Sequence, residues 1–257
     1  MLIFLGSYFF SVCLTVLIHE TGHALAFLLF GYPDINLMVT PFYGGTTSSA
    51  GLDMNNAAFI LAAGPVFDLF CASIIIVSLW HKRNTKLLPL LMYSGTAFLL
   101  EGIVMFNTFF TSTILTDWDG LIYLGFSPIL VAILTILVLL MGAFFMYINW
   151  PLNGISVQDS FLKKLYINSG YLLYLFLSLI FSIMINLLLL PEFLLLIVLN
   201  LVVALIFLLI RIIAYKPIFK VLERITHTEV RDSSYKDVRL SLVLGASMFF
   251  LLILLLN

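Results

Sequence analysis

Residues 2–30 read LIFLGSYFFSVCLTVLIHETGHALAFLLF, an apolar stretch long enough to cross a bilayer as one helix. It nevertheless contains Glu20 between His19 and His23, and a charged side chain at a bilayer centre costs about 2.5–3.5 kcal/mol on insertion scales. The stretch lacks a basic amino-terminal region, and cleavage after Ala26 would remove the polar motif. We therefore interpret residues 2–30 as a retained first transmembrane helix that carries a functional site.

The rest of the chain is also apolar. Of its 257 residues, 63% are hydrophobic and 10% are charged, whereas ordinary soluble domains have about 25% charged residues. Such a chain has too few polar side chains to cover a water-facing surface, which excludes an ordinary soluble protein. The net charge of −1 indicates no nucleic-acid partner, and the isolated Cys13 and Cys71 form neither a disulfide framework nor a metal motif.

The distribution of apolar and basic residues predicts an all-α polytopic membrane protein with about seven transmembrane helices. Residues 31–56 are rich in Gly, Pro, Ser and Thr and alternate near residues 35–39, which predicts a short β-strand or hairpin loop after the first helix. Lys and Arg cluster at 82–86, 163–164 and 211–239, so the positive-inside rule predicts a cytosolic amino terminus and a charged cytosolic loop at 215–237. The predicted spans are roughly 2–30, 57–80, 87–113, 127–149, 167–190, 192–214 and 238–256.

The sequence His19-Glu20-Thr21-Gly22-His23 is an HExxH motif. On a helix, residues four apart share one face, so the two imidazoles can bind the same zinc ion. The intervening Glu20 then lies beside the metal, where it can accept a proton from water. The alternative is a polar cluster that only forms hydrogen bonds to neighbouring helices.

A catalytic zinc site usually has a third protein ligand. Acidic residues in polar loops are explained by solvation, which leaves Asp68, Glu101, Asp117 and Asp119 as candidates. Asp117 and Asp119 follow the third span and lie at a depth compatible with the histidines. Asp119 precedes Gly120, which allows the backbone to turn close to a ligand. We interpret Glu101 as a hydrogen-bonding residue within the helix bundle, and tuning of the metal ligands is its alternative role.

Residues 1–125 resemble the site-2 protease family of intramembrane zinc metalloproteases. Three features match in order: the HExxH motif, a Gly-Pro segment at 63–68, and an Asn followed by Asp-Gly at 107–120. The resemblance implies peptide-bond hydrolysis within a transmembrane-helix substrate in the lipid bilayer, with Zn²⁺ as the cofactor. It implies Glu20 as the catalytic residue, His19, His23 and Asp119 as ligands with Asp117 as the alternative, and Gly64, Pro65, Asp68 and Asn107 as residues near the substrate or the ligands.

The sequence departs from the family pattern at two places. Asp68 stands where the Gly-Pro motif usually ends in Asn, and the interval from Asn107 to Asp119 is long and lacks the family's Pro. These departures indicate a divergent branch.

The chain is expected to divide into a catalytic three-helix membrane core with the zinc site, residues 1–125, and additional transmembrane helices, residues 126–257. Three alternative functions are consistent with the same motif. They are a catalytically inactive membrane scaffold or regulator, another membrane zinc hydrolase such as a prenyl-protein protease with a different third ligand, and a metal-ion transporter. The second half has no polar residues that match those of the first, which disfavours the transporter.

Overall fold

The computed structural model describes residues 2–40, 44–82, 84–110, 116–153, 160–166 and 235–254, with a few separate positions between 180 and 213. The elements named below lie within these ranges. They are α1 (Leu2–Leu29), β1 (Asn36–Thr40), β2 (Gly44–Ser48), α2 (Met54–Leu79), α3 (Leu88–Asn107), α4 (Asp117–Tyr123), α5 (Pro128–Asn149) and α6 (Tyr235–Leu254).

Four of these helical segments are long and apolar enough to cross a membrane: Leu5–Leu29, Met54–Leu79, Thr85–Asn107 and Pro128–Asn149. They correspond to the first four predicted spans, although the third ends at Asn107 and not at residue 113. The predicted spans 167–190 and 192–214, and most of the loop 215–237, lie outside the described residues. The mostly helical membrane fold is thus confirmed over the described part, and the count of about seven helices stays a prediction.

A short antiparallel hairpin follows α1, as the composition of residues 31–56 predicts. β1 pairs with β2 from Asn36 opposite Ser48 to Thr40 opposite Gly44. The helix before it ends at Leu29, and Gly31 in the following turn has a φ of 76°, which residues with a side chain rarely adopt. The Tyr32 N–H then donates to the Phe27 carbonyl at 3.0 Å, which closes the carboxyl end of α1.

The central helix of the bundle is α3. Most residues of α3 are buried, whereas most of those of α2 are not, because α1, α2 and α5 all pack against α3. The outer faces of α2 and α5 expose large apolar side chains, as helices solvated by lipid must. Examples are Phe59, Phe70, Ile136 and Leu140.

Helix α1 makes close contacts with α6 near its start and with α2 near its end. Near its start it crosses α6, where the Ser7 and Ser241 hydroxyls lie 2.9 Å apart. Near its end it crosses α2 so closely that a Cβ added to Gly22 would lie 2.6 Å from the Ala63 carbonyl oxygen. The HExxH segment is therefore fixed on a helix enclosed by α2, α3, α6 and the hairpin.

Candidate metal centre

The two histidines of the HExxH motif meet on one face of α1. His19 Nε2 and His23 Nε2 lie 3.2 Å apart, and their rings stand at 71° to each other. The His23 side chain is 7% exposed and the His19 side chain 18%. The pair is thus mostly enclosed, with the His19 side open.

A carboxylate from a distant part of the chain completes the group. Asp117, the first residue of α4, places Oδ2 at 2.9 Å from His19 Nε2 and at 3.2 Å from His23 Nε2. Among the described residues, His19, His23 and Asp117 form a cluster whose ligand atoms are close enough to share one metal ion.

The outer contacts of the two rings determine where their hydrogens lie. His23 Nδ1 lies 2.6 Å from the Ile60 carbonyl oxygen, which can only accept, so this nitrogen donates. His19 Nδ1 faces the Glu101 carboxylate at 3.5 Å, which favours a hydrogen there as well. In the neutral rings, both Nε2 atoms then present lone pairs to each other and to Asp117 Oδ2. Three acceptors this close repel one another unless a cation lies between them, so the donor set fits a metal ion.

The spacing and chemistry of the three atoms suit zinc. Tetrahedral ligands at zinc distances of 2.0–2.1 Å lie about 3.3 Å from one another, and the three separations here are 2.9, 3.2 and 3.2 Å. Two imidazole nitrogens and one carboxylate oxygen are a ligand set that catalytic zinc sites use.

The Gly-Pro segment of α2 makes room for His23. A Cβ added to Gly64 would overlap the His23 imidazole, so a residue with a side chain cannot replace it without moving the ring. Pro65, which lies inside α2, has no N–H to donate to the Leu61 carbonyl one turn earlier. The neighbouring Ile60 carbonyl is the acceptor for His23 Nδ1. Gly64 thus gives the His23 ring its space, and the roles predicted for Gly64 and Pro65 toward the substrate or the ligands stay predictions.

The side chain of Glu20 lies between the metal cluster and the hairpin. The Thr47 hydroxyl of β2 donates to Glu20 Oε2 at 2.7 Å, and a Cβ added to Gly45 would overlap the Glu20 side chain. Glu20 is 4% exposed. The hairpin therefore fixes the position of the Glu20 side chain on the surface of α1.

Asp119, the third ligand that the resemblance implies, does not belong to the cluster, and its alternative Asp117 does. Asp119 Oδ2 accepts from the Thr116 N–H and from the Thr116 hydroxyl, each at 3.0 Å, and forms a capping box at the start of α4. Residues two apart on a helix point to different sides, so Asp117 and Asp119 cannot both face the histidines. Gly120 lies inside α4 against Leu61 of α2, and so it makes no turn toward a ligand.

Three further predicted residues lie in the core. Asp68 is fully buried and accepts from the Tyr93 hydroxyl at 2.7 Å, while its second oxygen has no hydrogen-bond partner among the described residues. Asn107 is fully buried as the last residue of α3. Glu101, on the same helix, accepts a hydrogen bond from Trp118 Nε1 in addition to facing His19. The roles assigned to Asp68 and Asn107 stay predictions.

Two residues of this neighbourhood were not singled out from the sequence. Thr47 gave no signal, because its contact with Glu20 depends on how the hairpin folds back on α1. Trp118 was missed although Thr116-Asp117-Trp118-Asp119 has the spacing of a capping box. Recognition of that box would have shown that a helix starts at Asp117 and that Asp119 is engaged at its cap.

The comparisons with known proteins identify the family of the chain. The family model for Peptidase M50B-like proteins matches residues 7–163, which span the HExxH helix, the hairpin, the Gly-Pro segment and Asp117. No curated protein and no solved structure is significantly similar to the chain. M50 peptidases are zinc metalloproteases, and the four apolar helices make this chain an integral membrane protein. The chain therefore belongs to the Peptidase M50B-like family, in agreement with its resemblance to the site-2 proteases.

Proposed function

We propose that this protein is an intramembrane zinc metalloprotease that hydrolyses a peptide bond in a transmembrane-helix substrate. The observation that carries the proposal is the convergence of His19 Nε2, His23 Nε2 and Asp117 Oδ2 beside an HExxH glutamate, within apolar helices. Intramembrane ionisable groups are costly and are functional by default. Membership of a metallopeptidase family supplies the reaction class.

Each residue of the group has a distinct task in this proposal. His19, His23 and Asp117 hold the ion. Zinc, when bound there, supplies the Lewis acidity that polarises a peptide carbonyl and acidifies water. Glu20 accepts a proton from the attacking water and later gives it to the leaving amine, and this exchange is the general acid–base step. Thr47 donates to the Glu20 carboxylate and so fixes its direction.

The hairpin suggests how a helical substrate is bound. A transmembrane helix hides its peptide groups in its own hydrogen bonds, so the cleaved segment must first unwind. An unwound segment satisfies its backbone groups by pairing with a strand. β2 is suited to this task because Gly45 and Thr47 lie directly against Glu20, which brings an added strand to the catalytic group.

The orientation in the membrane is part of the proposal. The positive-inside rule puts the amino terminus in the cytosol. The hairpin and α4 follow odd-numbered spans, so both then lie at the opposite face. The metal centre, in the second half of α1, lies nearer that face.

Replacement of Glu20 by Gln tests the mechanism. We expect Glu20→Gln to retain one zinc ion per chain and to lose cleavage of a model transmembrane substrate by about 10²–10⁴-fold or more, because the amide cannot take a proton. The measurements are metal content and cleavage rate for purified protein in detergent or vesicles.

Thr21→Val is the matched control within the same motif. The Thr21 hydroxyl donates to the Leu17 carbonyl of α1 itself at 2.7 Å, so its loss should leave cleavage unchanged. A Glu20→Gln protein that cleaves at the normal rate excludes the mechanism. Zinc binding without cleavage in the unaltered protein favours the inactive scaffold.

A further inference from the structure

One buried carboxylate connects the two elements that supply the metal ligands. Glu101 of α3 is 4% exposed. Its Oε1 accepts from Trp118 Nε1, and its Oε2 lies 3.5 Å from His19 Nδ1. Trp118 is the neighbour of Asp117 on α4, and His19 is on α1. A single side chain thus contacts both the His19 ligand and the short helix that carries Asp117.

Burial of the Glu101 carboxylate within α3 costs free energy, so its hydrogen-bond and charge partners must compensate for that cost. An ionised acid in a bilayer-spanning helix is energetically costly unless it is paired. A tryptophan indole needs only one neutral acceptor, and an amide or hydroxyl would serve as well. The second oxygen, directed at His19, is therefore the feature that calls for a carboxylate at position 101.

The position of Glu101 Oε2 favours the tautomer of His19 that can bind a metal through Nε2. An acceptor at Nδ1 keeps the ring hydrogen there and leaves Nε2 with a free lone pair. His23 achieves the same state with the Ile60 carbonyl at 2.6 Å. Histidines that ligate metals usually donate their other N–H to a carboxylate or a carbonyl, which also raises their basicity. In this site, His19 faces a carboxylate, that of Glu101, and His23 faces a backbone carbonyl, that of Ile60.

We propose that Glu101 is a positioning residue of the metal centre. It holds His19 with Nε2 directed at the ion, and through Trp118 it seats α4 so that Asp117 reaches the same point. This inference rests on the proposed zinc site and adds to it a requirement for a charged acceptor on α3. Under the opposing interpretation, Glu101 is only the acceptor for the Trp118 indole.

Replacement of Glu101 by Gln separates the two interpretations. The Gln carbonyl can still accept from Trp118, but its NH₂ then faces His19 Nδ1 and drives the ring hydrogen to Nε2, which blocks the ligand atom. We expect zinc affinity to fall 10–100-fold, the range for loss of such outer partners. Affinity is measured by competition with a chelator of known zinc affinity, in detergent.

Two further variants complete the series. Trp118→Phe removes the indole donor and keeps Glu101 on His19, so affinity should fall less than about 10-fold. Ser94→Ala is the control on the same helix, since the buried Ser94 hydroxyl has no hydrogen-bond partner among the described residues, and zinc affinity should not change. Unaltered affinity in Glu101→Gln overturns the proposal.

The ring state of His19 provides a readout that does not depend on any variant folding. The chain has four histidines, so selective ¹⁵N-histidine labelling gives few signals to assign. In the zinc-free protein, at a pH where the ring is neutral, His19 should carry its hydrogen on Nδ1 opposite Glu101, and a hydrogen on Nε2 would refute the proposal. An unaltered protein that binds no zinc contradicts the proposed function itself, whereas normal zinc binding in Glu101→Gln contradicts only the role of Glu101.

Discussion

At the scale of single residues, the choice between two aspartates depends on where α4 begins. Asp117 points at His19 and His23, and Asp119 accepts from Thr116 at the cap. We expect Asp117→Asn to abolish stoichiometric zinc binding, because a neutral amide is a poor third ligand beside two imidazoles. Zinc content after dialysis against a weak chelator measures this.

Asp119→Asn is the matched comparison two residues away. It weakens the capping box, which should cost about 1 kcal/mol of stability, but it should leave the zinc content unchanged. The reverse result, with zinc lost in Asp119→Asn and kept in Asp117→Asn, would mean that the family's Asp-Gly pattern holds here and that Asp119 is the third ligand.

The proximity of the two histidines could be predicted from the sequence and the approach of Asp117 could not, for a physical reason. His19 and His23 are one turn apart on a single helix, so their proximity follows from local geometry. Asp117 reaches them only after α2 and α3 have packed and α4 has started at the right residue. The contacts of Thr47 and Trp118 also depend on distant elements, and such contacts leave little trace in the residue pattern.

At the scale of elements, the hairpin does more than connect α1 to α2, because it contacts the proposed catalytic base Glu20. Thr47 on β2 donates to Glu20 Oε2 at 2.7 Å. A hydrogen bond to a charged group contributes about 1.5–3 kcal/mol. We expect Thr47→Val to lower kcat by at least about tenfold while zinc content stays the same, because the base loses its direction but the ligands do not.

The control for Thr47 lies next to it on the same strand. Successive side chains of a strand point to opposite faces, and Thr46 is exposed whereas Thr47 is half-buried. Thr46→Val should therefore keep the rate. Equal loss of rate in both variants would show that the hairpin is disturbed as a whole and that Thr47 has no specific contact with the base.

The boundaries of the elements could be predicted to within a few residues where the pattern is strong. The apolar runs predict the first and last residues of α2 and α5 closely, and the composition of residues 31–56 predicts the hairpin. The third span ends at Asn107, six residues before the predicted end, because its apolar run continues into a turn at 108–110. Hydropathy does not distinguish an apolar turn from an apolar helix.

At the scale of the whole molecule, the centre joins parts of the chain that are about a hundred residues apart. His19 and Asp117 are separated by 98 positions, and Glu101 links both neighbourhoods through α3. Asp117, Glu20 and Glu101 gather around two histidines in a mostly apolar bundle. The three ligand atoms of His19, His23 and Asp117 come together only in the folded chain, so metal binding and the stability of the fold are coupled.

That coupling predicts that zinc raises the stability of the entire bundle. An ion that binds only the folded state at a free concentration 100 times its Kd contributes about 2.7 kcal/mol, which corresponds to a rise in Tm of roughly 5–10 °C for a chain of this size. We expect this difference between zinc-loaded and chelator-treated protein in detergent, measured by thermal unfolding. Asp117→Asn should melt at one temperature in both conditions, since the third ligand is missing, while Asp119→Asn should keep the full difference. Identical melting of the unaltered protein with and without saturating zinc would mean that the three side chains stand together without holding a metal.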